Sequence, residues 1–130
     1  MKLLLRAVLL PLLLNALSFG AFSQENELKY FVVQGKLTPE VAKLLVENPA
    51  DPTAGARKSI KSIPGAILVD YYLEVGTAQN LAIVALPDSS IAAALVYQRL
   101  STGGLTDIKV REILPSNKVK EMLKVAKSLN

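Results

Sequence analysis

Proline punctuates this chain more strictly than any other residue. It lacks an amide hydrogen and its φ is locked, so it is excluded from helix interiors and central strands. Pro39, Pro49, Pro52, Pro64, Pro87 and Pro115 cut the stretch after residue 38 into short segments. No element can run across one of these prolines except at its first turn. Residues 30–34 (Tyr-Phe-Val-Val-Gln) are β-branched and aromatic, the composition of a strand. Thr38-Pro39 is a helix start, with Val41, Leu44 and Leu45 at helical spacing and an end forced near Asn48. Asp51-Pro52 repeats the start signal. Ala56, Ile60 and Ile63 form the apolar side of that helix, Arg57, Lys58 and Lys61 its solvent side, and Pro64-Gly65 stops it.

Residues 66–75 predict a second strand and residues 80–86 a third, joined through Gly76-Thr77-Ala78-Gln79. Asp88 is placed to cap a helix over 89–100, which Gly103-Gly104 would close. A fourth strand follows over 105–114. Beyond Pro115, Ser116 is the expected cap of a last helix with Val119, Met122, Leu123, Ala126 and Leu129 on one stripe. The order βαββαβ plus a C-terminal helix predicts an α+β, ferredoxin-like sandwich. Its four-stranded antiparallel sheet would run 4-1-3-2, with helices on one face.

The first 23 residues read as a secretory signal peptide. Lys2 and Arg6 make a positive start, residues 7–14 an apolar run, and Ala21-Phe22-Ser23 puts small residues at −3 and −1 of a cut before Gln24. Ser18-Phe19-Gly20 offers an alternative cut before Ala21. Pro11 and Asn15 interrupt a run already short of the roughly 20 apolar residues a spanning helix needs. Cleavage, no stable membrane anchor and a periplasmic or secreted product are therefore expected. One domain, 24–130, remains. Its leader accounts for two of the four net positive charges, and the residual +2 does not point to nucleic acid.

The chain has no His and no Cys. Disulfides, zinc sites built on those ligands, and Ser-His-Asp or Cys-His nucleophiles are all excluded. No metal or cofactor is expected. Acid–base chemistry would have to come from Tyr paired with Asp or Arg.

Over nearly all of residues 24–130 the chain resembles the GYD domain family of small bacterial proteins, relatives of the dimeric α/β-barrel folds. The resemblance is carried by Tyr30-Phe31-Val32-Val33, Thr38-Pro39-Glu40 and Asn48-Pro49-Ala50. It continues through Tyr71 to Gln79, Ile83 to Asp88, Gly103-Gly104 and Val110-Arg111. Gly76 stands where the family has its Gly, but Ala78 and Gln79 occupy the Tyr-Asp positions. The resemblance implies a dimeric ferredoxin-like domain, non-catalytic, with a small ligand or protein partner. A cofactor-independent monooxygenase or isomerase acting on a small aromatic or quinone-like substrate is the enzymatic alternative.

Strict alternation along the second strand assigns Leu68, Asp70, Tyr72 and Glu74 to the open sheet face, and Ile67, Val69, Tyr71 and Leu73 to the helices. Lys109 and Arg111 would share the open face from the opposite edge. A homodimer joined through that face would set one subunit's acids against the other's bases, with Val32 and Leu68 near its centre. Tyr30, Tyr72, Tyr97 and Arg99 are the candidates for a small-ligand pocket, each offering a ring or a charge for orientation. Lys120, Lys124 and Lys127 make one side of the last helix basic, a pattern suited to its own dipole.

Overall fold

The computed structural model describes residues 27–129; the leader expected over 1–23 lies outside them. In chain order the elements are β1 (Lys29–Leu37), α1 (Pro39–Glu47), α2 (Pro52–Lys61), β2 (Ile67–Glu74), β3 (Gln79–Leu86), α3 (Ser89–Thr102), β4 (Leu105–Ile113) and α4 (Ser116–Ser128). The sheet order is β2-β3-β1-β4, and each neighbouring pair is antiparallel. Read from the other edge this is 4-1-3-2, the ferredoxin-like arrangement, here with an added C-terminal helix.

Two of the helix starts work as their sequences require. Asp51 accepts from the Thr53 amide at 2.9 Å. Asp88 accepts from the amides of Ser90 at 2.7 Å and Ile91 at 3.1 Å. Thr38 does stand at the start of α1, but its hydroxyl caps nothing and is buried without a partner. At the start of α4 the capping position falls to Pro115 rather than Ser116. Gly103 closes α3 at φ +69°, a left-handed conformation that favours glycine.

These caps couple stability to pH. The Ser90 hydroxyl and the amides behind it hold the Asp88 carboxyl below its ordinary range, and Thr53 does the same for Asp51. A carboxyl lowered in the folded state contributes stability above its unfolded pKa and loses it as pH falls through the folded one. The melting temperature should therefore fall as pH drops below the ordinary carboxyl range. Asp88→Asn should flatten that fall in a pH series of thermal melts.

The core lies between one sheet face and α2 and α3. Phe31, Ile60, Leu68, Val84, Leu86, Ala92 and Leu95 form it, with Val33 and Val110 packed against it. Burying a side chain of this size contributes about 1.5–3 kcal/mol, so this cluster outweighs any surface ion pair.

One register feature corrects an expectation. Leu68 pairs with Val84 while Asp70 pairs with Ile83, so Val69 is an extra residue in β2. This β-bulge resets the alternation. Leu68 is buried under the helices, not on the open face, and Ile67 takes the open side opposite Ala85. Downstream of the bulge, Tyr71 and Leu73 face the helical layer as expected. Asp70, Tyr72 and Glu74 lie on the open side.

Candidate functional site

A cavity of about 240 Å³ lies between the sheet and helices α2 and α3. It is open to solvent beside Pro52 and Gly55, both exposed. Its origin is a set of small residues contributed by separate elements: Gly35 from β1, Gly55 and Ala56 from α2, and Ala82 from β3. Val33, Ile60, Leu68, Val84, Leu95 and Leu105 make the apolar wall. At Gly35 the fit is already close, because an added Cβ would come within 3.2 Å of Leu105 Cδ1.

Three polar side chains also line the cavity: Tyr71, Asn80 and Arg99. Arg99 comes from the last turn of α3 and donates to Ser59 Oγ on α2. Among the described residues it has no carboxylate partner. Asn80 is only 9% exposed. Burial pushes the Tyr71 hydroxyl above its ordinary pKa, with the Arg99 charge pulling the other way. Tyr71 is therefore a neutral hydrogen-bond donor throughout the physiological range. The arrangement is that of a ligand pocket, with apolar walls and a few polar groups.

The expected pocket residues divide. Arg99 lines the cavity, but Tyr30 and Tyr72 lie on the open side of the sheet and Tyr97 is exposed on α3. The structure does not bring these four together. The phenol that joins Arg99 is Tyr71, which alternation placed beneath the helices but which was not among the pocket candidates. Asn80 was likewise missed. A polar amide at a helix-facing position of a central strand was the signal that could have found it.

The open face is ordered in rows by strand register. Ile113, Tyr30, Ala85 and Ile67 form an apolar row. The next runs Arg111, Val32, Ile83, Asp70, and a third Lys109, Gln34, Leu81, Tyr72. In the fourth, Lys36 and Gln79 lead to Glu74. Arg111 and Lys109 thus occupy the β4 edge, Lys109 paired there with Asp107 at 3.7 Å, and Asp70 and Glu74 the β2 edge. Gln34 connects the two sides, accepting from Arg111 at 3.4 Å and donating to Gln79 at 2.7 Å and Glu74 at 3.4 Å. The Tyr72 hydroxyl donates to Asp70, a contact that lowers the Asp70 pKa and raises that of Tyr72.

Among the described residues no group of three or more Asp or Glu side chains is placed to hold a metal ion. No described helix is long and apolar enough to cross a membrane. Comparison with protein-family models, curated proteins and solved structures finds no match.

Proposed function

We propose that this is an exported, non-catalytic, GYD-like domain that binds a small, largely apolar molecule in the cavity beneath α2 and α3 and acts as a homodimer. The observation that carries the reading is the cavity itself, apolar on most sides with Tyr71, Asn80 and Arg99 on the remainder. Such groups hold and orient a ligand. A phenol kept protonated by burial suits a fixed donor better than a proton carrier.

The row pattern of the open face supports the dimer. A two-fold axis running along the strands, between two stacked sheets, sets each row over its own copy with left and right exchanged. Arg111 of one subunit then stands opposite Asp70 of the other, and the apolar row meets the apolar row. An axis across the strands would instead set β4 over β4 and oppose like charges. Electrostatics therefore favours the first. Helix α4 adds to the case, since Met122, Leu123 and Val125 are 44–59% exposed among the described residues.

Native mass spectrometry of the protein recovered from the periplasm of an expression host tests both parts. A dimer mass carrying a small adduct that is lost on collisional activation is expected. A bare monomer at micromolar concentration would remove the dimer and leave the cavity without an occupant.

A further inference from the structure

The chemistry of the cavity wall narrows the ligand class. Arg99 is the only charged side chain lining the cavity, and it has no carboxylate partner among the described residues. A half-buried guanidinium without a counter-ion is costly, and a carboxylate is the planar anion its donor geometry matches. Tyr71 adds a hydroxyl donor and Asn80 an amide donor, both on the cavity wall. Asp51, whose charge reaches Tyr71, does not line the cavity, and its carboxylate is engaged by the Thr53 amide. All three polar groups can therefore donate to one anionic head, while the apolar wall takes the remainder of the molecule.

We infer that the cavity binds a compact monocarboxylic acid, its carboxylate held by Arg99 with Tyr71 and Asn80 and its aryl or short alkyl body against Val33, Ile60 and Leu95. The inference rests on the reading of the cavity as a binding site. The single guanidinium suits a monoanion better than a phosphate monoester.

Calorimetric titration of the purified protein with benzoate and hexanoate, beside benzamide and hexanamide, tests it. Saturable binding of the acids is expected, about tenfold or more tighter than their amides. Arg99→Gln should remove that preference by weakening the acids at least tenfold more than the amides, and residual saturable amide binding shows that the cavity is intact. Arg99→Lys should restore part of it. Equal affinity for acid and amide, or an acid preference that survives Arg99→Gln, would overturn the carboxylate assignment while leaving the cavity a binding site. Preference for phenyl phosphate over benzoate would overturn it too. Failure of every acid and every amide to bind at millimolar concentration would remove the binding-site reading along with it.

Discussion

Leu68→Ala should destabilise the domain by about 2–5 kcal/mol, the range for emptying a buried leucine position. Ile67→Ala, one residue earlier, should change the stability of the subunit by less than about 1 kcal/mol. The contrast follows from burial: Leu68 is 8% exposed and Ile67 52%. It is a direct reading of the bulge at Val69, because unbroken alternation would give the opposite ranking. Urea denaturation followed by circular dichroism at several protein concentrations separates the two effects. Any change at Ile67 that grows with concentration reports on association rather than on the fold. Equal losses at the two positions would mean that the β2 register is wrong.

Reversing the charges on one edge of the open face should abolish the homodimer. Asp70→Lys with Glu74→Lys makes both edges basic, and Lys109→Glu with Arg111→Glu makes both acidic. Like charges brought together across an interface cost several kcal/mol, enough to raise the dissociation constant about a hundredfold or more. Each double variant should run as a monomer. Mixed in equal amounts, they should pair, because a basic edge again lies over an acidic one, with positions 111 and 70 directly opposed, when the strands are related by a two-fold axis along them. Light scattering coupled to size exclusion reads both results. Salt should weaken the mixed pair, since exposed charges are screened within about 10 Å at moderate ionic strength. Failure of the mixture to pair while the parent protein is dimeric would place the interface elsewhere.

Much of the fold is legible before any coordinates. Proline and capping residues act locally, so Asp51-Pro52, Asp88 and Gly103 mark element ends without reference to the rest of the chain. The order of elements then leaves few topologies. What escapes is whatever depends on two elements at once. The bulge at Val69 exists only in the pairing of β2 with β3, and no feature of residues 66–75 taken alone announces it. Thr38 has the right residue type for a cap, but the backbone bond from its amide to the Gly104 carbonyl at 3.2 Å ties it into the β4 side of the sheet. The site was only partly legible for the same reason. Arg99 was visible as a charge on a mostly apolar helix. The cavity beside it arises from Gly35, Gly55, Ala56 and Ala82, which lie on three elements and carry no signal until the layers close. Tyr71 and Tyr72 are adjacent and chemically alike, and only the sheet pleat decides which one meets Arg99.

Helix α4 stands apart from the cooperative body of the molecule. It has no buried residue, and its described ties are the Pro115 junction and the Lys118–Glu27 ion pair at 2.5 Å. Helices this short are only marginally stable in water without a surface to lean on. Its backbone amides should thus exchange with solvent well ahead of those in β1 and β3. The C-terminal segment then behaves as a gauge: the degree to which it stays wound measures how much of the chain is engaged with something outside itself.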